Sequence, residues 1–358
     1  MAEEEAGASR HSAATLIGFA ADVLTAQGMR AEEARRVAEL MVEADLTGAD
    51  AHGIFRLPQY VRRMRAGGMN PRPEIAVRRL APAVAMVEGD NGPGHLVMSK
   101  AGETAIALAR ESGVAWVGAR RSNHAGSGAV HACLPLAAGM IGIYTVVASA
   151  NHMAPWGGTE SLLGTNPLAI AIPMGKDDPV VLDMATTTVS YGTVKGHALR
   201  GKPMPEGWMI DARTGEPLTD PRRSHEGILL PVGGYKGSGL ALVLGLLAGP
   251  LNRAAFGRDV VDFNADERTV TETGHALIAL DISRFLDPAA FQAEVRRHLD
   301  DLRKSPRLPG VDRIRTPGEL RGERRRDRGA HGVALPAALV AQLDGLASDA
   351  GIAPLGER

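Results

Sequence analysis

Hydrophobic residues first recur with helical period after Ser12, a natural N-cap, and the repeat closes at Gly28. It resumes from Ala31 to about Leu46, where Glu32 and Arg36 stand four residues apart and can pair. Past Pro71 and Pro73 the pattern shortens. Ala83 to Val87 reads as a strand, Gly89 to Gly94 as a turn, and the residues through Ala109 as a further helix. Short apolar runs follow at Val114 to Val117, Ile141 to Val147, Leu168 to Ile172 and Val180 to Leu182, each of strand length. Pro203, Pro205, Pro217 and Pro221 break up a loop-rich stretch, after which Gly237 to Leu251 forms an apolar helix whose Leu240 to Leu251 part is expected to be buried. His275 to Ile282 reads as one more strand. From Pro288 the chain returns to helix, carries a basic segment from Arg313 to Arg328 that reads as a solvated surface, and ends in an amphipathic helix from Pro336 to about Leu346. The pattern predicts an α/β fold with a mixed sheet. Helical ends flanking a strand-rich middle further predict a discontinuous helix-rich domain, residues 1–120 plus 290–358, around an inserted domain of residues 121–289.

Composition narrows the partners. Across 358 residues, 40 Lys plus Arg balance 41 Asp plus Glu, which gives no electrostatic footprint for nucleic acid or an acidic membrane surface. Small molecules are the expected partners. Cys133 is the single cysteine and cannot form an intramolecular disulfide, and the start MAEEEAGASRHS is acidic where a signal peptide is basic and then apolar. No uncharged apolar run is long enough to cross a bilayer. The expected location is the cytoplasm.

Three familiar motifs fail. No intact G-x-G-x-x-G lies between a strand and a helix, so an ordinary Rossmann site is not expected. Gly196 to Lys202 matches a P-loop until Pro203, which offers no hydroxyl for Mg²⁺. His124, His131 and Cys133 lack a fourth ligand at zinc spacing, so no metal site is expected.

Other clusters carry usable chemistry. Within Asp50 to Arg56, His52 can exchange a proton near neutral pH and Arg56 can clamp a carboxylate with a forked pair of hydrogen bonds; if the segment is helical, the two share a face. Spacing alone favours a surface histidine and an Arg paired with Asp45 or Asp50. Ser122-Asn123-His124 precedes a glycine turn just after a strand, a common place for ligands in mixed sheets. Asn151 to Gly158 and Gly164-Thr165-Asn166-Pro167 combine glycines with polar side chains, and Asp183-Met184-Ala185-Thr186 closes a strand with threonines available as caps. Gly233 to Gly239, with Tyr235 and Lys236, runs into the apolar helix, whose N-terminus suits a pyrophosphate. Each of these alone also reads as an ordinary turn.

Taken together and in order, His52-Gly53 with Arg56-Leu57-Pro58, Asn70-Pro71, Ser122-Asn123-His124, Pro155 to Gly158, Gly164 to Pro167, Leu182 to Ala185, Gly207-Trp208, Gly234 to Gly237 and Pro317 to Glu319 make the sequence resemble the malate/L-lactate dehydrogenase family of the second type. The resemblance runs from about Ala13 to the C-terminus. It implies an NAD- or NADP-dependent oxidoreductase acting on a small 2-oxo or 2-hydroxy acid, or on a cyclic imino acid, with a non-Rossmann nicotinamide domain and a homodimeric assembly. It also implies roles: His52 as proton donor with His124 as the second candidate, Arg56 on the substrate carboxylate, and Thr165 near the substrate. His124, Ala125, Gly126, Ser127, Gly128, Asp183, Met184, Ala185, Tyr235, Lys236, Pro317, Gly318 and Glu319 would line the cofactor. Two positions depart from the family pattern: Ala51 replaces a common Ser before the histidine, and Thr193 stands where Lys or Asp is frequent. The departure at Ala51 leaves open a cofactor-binding protein without turnover.

Overall fold

A computed structural model describes residues 8–358. The acidic start read above for its lack of a signal sequence lies mostly outside the described residues.

One seven-stranded sheet organises the centre, in the order Ala76–Ala81, Val84–Glu88, Val114–Ser122, Thr273–Asp281, Met140–Val146, Leu168–Ile172, Val180–Met184. Val84–Glu88 pairs parallel with Val114–Ser122, and every other neighbour is antiparallel, which makes the sheet mixed. The parallel pair needs a crossover, and the Gly94–Ser112 helix supplies it, burying Val97, Met98, Ala101, Ala105 and Ala109 against the sheet. That helix stops at Gly113, whose φ of +80° suits glycine alone among the common residues, and whose N–H returns to the Ala109 carbonyl. The strand predicted from His275 is Thr273–Asp281, and it sits mid-sheet between elements far earlier in the chain.

The chain ends close on each other. Ser9–His11 pairs with Val333–Leu335, and the Ala13–Ala26 and Ala31–Leu46 helices share a core with Leu339, Leu343 and Ala347 of the Ala337–Ala350 helix. Ser12 caps the first helix by accepting the Thr15 N–H at 3.0 Å. The boundary expected at 120/121 falls inside the Val114–Ser122 strand, and that at 289/290 inside the Pro288–Lys304 helix, so the sheet is continuous across the first cut.

Two readings change, and the rejected P-loop match finds its structural place. The apolar helix, Tyr235–Ala248, is buried only along Gly237, Ser238, Ala241, Leu244, Gly245 and Ala248. Leu242, Val243 and Leu246 face out, Val243 at 53% and the following Leu251 at 58% exposure. A uniformly apolar sequence shows no period by which to tell an inner from an outer face. The basic segment is a web of ion pairs as well as a solvated surface: Arg313 pairs with Glu323, Arg326 with Asp178, Arg325 with Glu43 and Arg328 with Asp50. The P-loop-like stretch is the end of the Tyr191–Leu199 helix and its cap, with no loop wrapped around a phosphate. Among the described residues, no helix is long and apolar enough to cross a membrane.

Candidate active site

His52 and Arg56 do not share one helical face. Each closes a separate 3₁₀ turn, Asp50–His52 and Ile54–Arg56, broken at Gly53 by an extended ψ of −144°. The Leu57–Ala66 helix begins directly after them. The expectation of a shared helical face is thus corrected, yet the two side chains remain neighbours in one site.

His124 comes to the same place from the end of the Val114–Ser122 strand. Its ring stacks on His52 at 5.6 Å and 19°, and on Phe263 at 5.1 Å and 27°. What holds it carries no signal in the sequence. Tyr60 is fully buried on the Leu57–Ala66 helix, with its hydroxyl 2.5 Å from the His124 carbonyl and 2.9 Å from His124 Nδ1. A carbonyl oxygen can only accept, so the single phenol hydrogen goes there and the Tyr60 oxygen accepts from Nδ1–H. The Gly126 N–H also points at this nitrogen as a donor, at a longer 3.3 Å, and the two shorter Tyr60 contacts outweigh it. His124 is therefore held as the Nδ1–H tautomer with the Nε2 lone pair free. His52 has the opposite arrangement: its Nδ1 is buried with no partner, where a hydrogen would be a stranded donor, so the hydrogen belongs on Nε2. Nε2 of both rings has no partner among the described residues and reaches solvent.

Arg56 lies alongside. Its Nε donates to the Ala51 carbonyl at 2.7 Å and its Nη1 to Asn264 at 2.8 Å, leaving Nη2 without a partner among the described residues. Burial, then the Arg56 charge, pushes the His52 imidazole down to about 4, and the same two causes take His124 well below its ordinary value. Both rings are neutral near neutral pH. Further residues lie nearby, of which only His152 falls within a cluster read from the sequence. His152 stacks on Tyr191 at 4.0 Å, Lys195 lies over the Tyr191 ring, and Asp262 and Asn264 share a loop whose Phe263 carbonyl accepts from Gln59. Ala51 faces the start of the Tyr191–Leu199 helix, since a Cβ on Gly192 would lie 3.2 Å from its methyl. Thr193 is spent locally, its N–H donating to the Ser190 cap at 3.2 Å.

The remaining candidates form a track leading away from the two histidines. Ser127 Oγ and the Ala129 N–H both donate to Asp183, at 2.9 and 2.8 Å, so that carboxylate already occupies the start of the short Gly128–Ala132 helix. Ala125 packs against Gly94, while Gly126, at φ +77°, lies where a Cβ would come 2.6 Å from His95 Nε2. Met184 ends the edge strand with Ala185 directly after it, and the Thr165 carbonyl accepts the Thr186 hydroxyl at 2.8 Å. Gly237 lets the Gly233 to Gly239 loop press on the Thr186 segment, a Cβ there meeting the Val232 carbonyl at 2.2 Å. The Tyr235–Ala248 helix starts from Gly233 and Gly234, both at positive φ, with no side chain capping it and with Tyr235 and Lys236 exposed. Its first amides are thus available to an anion, which fits a dinucleotide pyrophosphate. Pro317 to Glu319 lie at the far end of the edge strand, the Pro317 carbonyl accepting the Val181 N–H at 3.1 Å and Glu319 pairing with Arg303 at 2.7 Å. They do not touch the histidines.

Against known proteins, the model of the malate/L-lactate dehydrogenase family matches residues 11–344. L-sulfolactate dehydrogenase of Methanocaldococcus jannaschii is 37% identical over 332 residues, 92% of this chain and 94% of that protein. A solved structure of sulfolactate dehydrogenase from the same organism superposes with a TM-score of 0.90 at 33% identity, covering 98% of this chain and 99% of that one. Ureidoglycolate dehydrogenase (NAD(+)) of Escherichia coli O157:H7 is 32% identical over 86% of each chain. (2R)-3-sulfolactate dehydrogenase (NADP(+)) of Chromohalobacter salexigens is 33% identical over 91% of this chain and 94% of that protein.

Proposed function

The chain belongs to the malate/L-lactate dehydrogenase family and is an NAD(P)-dependent dehydrogenase of small 2-hydroxy acids; from that premise we propose that His124 is its acid/base, His52 a neutral hydrogen-bond donor to the reacting oxygen, and Arg56 the clamp on the substrate carboxylate. The observation that carries this reading is the pair of stacked imidazoles held in opposite tautomers, with Nε2 of each open beside a guanidinium that has a free edge.

A nicotinamide held beside these residues would supply the hydride acceptor for the carbinol carbon, and the hydride donor in the reverse direction. His124 Nε2 takes the hydroxyl proton as the carbonyl forms, and the imidazolium that results passes its Nδ1–H to no one, because Tyr60 accepts it in a hydrogen bond while donating its own hydrogen to the carbonyl. His52 Nε2–H points the opposite polarity at the same oxygen and steadies the charge that develops there. After burial, the Arg56 charge is the next cause that lowers both histidines. A substrate carboxylate on Arg56 offsets that field, so binding itself raises the basicity of the groups that react.

For the cofactor, the Val180–Met184 edge strand supports an extended track. Val181, whose N–H the Pro317 carbonyl accepts, lies two residues from Asp183, about 7 Å along the strand at roughly 3.3 Å per residue, and the loop before the uncapped Tyr235–Ala248 helix packs on Thr186 just past the strand's other end. The outward Leu242, Val243, Leu246 and Leu251 support the homodimer that the family implies.

NADH and NADPH oxidation should be followed against pyruvate, oxaloacetate, 2-oxo sugar acids and cyclic imino acids. Turnover of a 2-oxo acid is expected, with Arg56→Ala raising KM by about 10-fold or more through loss of the charge-assisted clamp. Cofactor binding with no turnover across the panel would identify a binding protein instead.

A further inference from the structure

The two turns that carry His52 and Arg56 are joined by a peptide with an unusual neighbour. Asp45, in the last turn of the Ala31–Leu46 helix and only 2% exposed, accepts the Ile54 N–H at 2.8 Å through Oδ2. Its carboxyl also fills the space a side chain at residue 53 would need: a Cβ on Gly53 would lie 1.9 Å from Oδ1, 2.2 Å from Cγ and 2.4 Å from Oδ2. Gly53 has φ of −90°, outside the left-handed region, and the approach of the Asp45 carboxyl by itself leaves no room for a side chain there. Behind it, Arg328 of the Glu319–His331 helix donates to the Asp45 carbonyl and to the Asp50 carboxylate.

We propose that Asp45 is a positioning residue for the reaction, clamping the Gly53–Ile54 peptide so that His52 and Arg56 keep their mutual placement, with Arg328 bracing the clamp from outside. The inference rests on the roles assigned above to His52 and Arg56. Burial, partly opposed by the Ile54 N–H, pushes the Asp45 carboxyl up to about 8. An acceptor in this position does not need a full charge, so asparagine can replace it.

The clamp is tested with Asp45→Ala, Asp45→Asn, Gly53→Ala and the double variant Asp45→Ala/Gly53→Ala. Misplacing a catalytic group by an ångström costs up to about 100-fold, so Asp45→Ala and Gly53→Ala should each lower kcat/KM for the 2-oxo acid by about 10-fold or more. NADH affinity, read by fluorescence, should stay unchanged, and Asp45→Asn should remain close to wild type. The double variant should be no worse than Asp45→Ala, because removing the carboxyl opens the room that the new methyl needs. Wild-type kinetics in folded Asp45→Ala, or additive losses in the double variant, would overturn the proposal. Should Asp45→Ala not fold, Gly53→Ala and Asp45→Asn decide between the same outcomes. A second readout needs no turnover: diethylpyrocarbonate modification of His52, mapped by peptide mass, should change rate in Gly53→Ala and not in Asp45→Asn. If wild type turns over no acid, the assigned function fails while this arm still decides the clamp, and an unchanged rate in Gly53→Ala rejects it.

Discussion

Two groups of histidines sit within one run of ring contacts, and they are put to different uses. His52 and His124 form the outer pair; His95, His131 and His275 lie deeper, linked through Tyr60 and Tyr144. Burial lowers all five, His52 and His131 to about 4, His275 to about 3, and His95 and His124 well below the ordinary value. A perturbed titration therefore does not separate the two groups, although it often marks reacting residues elsewhere. Access separates them. The inner rings are closed: His131 Nε2 donates to the Ala125 carbonyl at 2.5 Å, His275 bonds Tyr144 at 2.8 Å and Ser122 at 3.0 Å, and His95 Nε2 is buried unpartnered. The outer rings each leave one nitrogen open beside Arg56.

The largest effects should separate the groups outright. Loss of an acid/base group costs about 100- to 10,000-fold, so His124→Ala should lower kcat by that order with NADH affinity intact. His52→Ala, which removes a hydrogen-bond donor and not the proton acceptor, should cost less, by about 10- to 100-fold. If His52→Ala proves the more damaging, the roles of the two rings are exchanged; if both retain full turnover, the site lies elsewhere.

A smaller effect tests the link between the groups. Tyr60→Phe removes the acceptor for His124 Nδ1–H and so destabilises the imidazolium, for a loss of about 10-fold in kcat, the worth of one or two buried hydrogen bonds. Its pH signature has a definite sign. In the oxidation direction the base must be neutral, so activity persists above the depressed His124 value and falls as pH falls through it. Tyr60→Phe lowers that value further and should move the acid limb of kcat/KM to lower pH. An unmoved limb would assign Tyr60 to packing alone.

How far the sequence reached differs between these same regions. Helix and strand positions followed from local periodicity, and Ser12 and Gly28 mark ends that the structure keeps. His52, Arg56 and His124 were visible because turn residues and ordered motifs surround them. Tyr60 was not, since a Tyr inside an amphipathic helix looks like core, and its partner His124 lies 64 residues away. The same reason hid Phe263 and Asn264, which reach the site from a loop more than 200 residues after Arg56. Asp45 read as an ion-pair partner for Arg56; only the fold shows that it grips the Ile54 amide instead. The exposed face of the Tyr235–Ala248 helix was hidden by uniform hydrophobicity, which carries no periodic signal to say which side is covered.

The smallest expected effect concerns the inner group and appears in stability, not in rate. His131 and His275 have folded values of about 4 and about 3, below the 6.5 of an unconstrained imidazole. Between those values the unfolded chain binds protons that the folded chain refuses, so stability is full above about 6.5 and drains away as pH falls toward the folded values. Replacing His275 with Gln should lower Tm near neutral pH, because Tyr144 and Ser122 lose a partner, yet leave kcat within about 3-fold since neither contact reaches the reacting atoms. Across the acid range the variant should also lose Tm less steeply than wild type, by at most about 1.4 kcal/mol of stability per pH unit for the single titration removed. Parallel Tm curves for the two proteins would mean that His275 is protonated alike in both states. The inner rings would then differ from the outer pair in access alone, with no cost of neutrality attached to their burial.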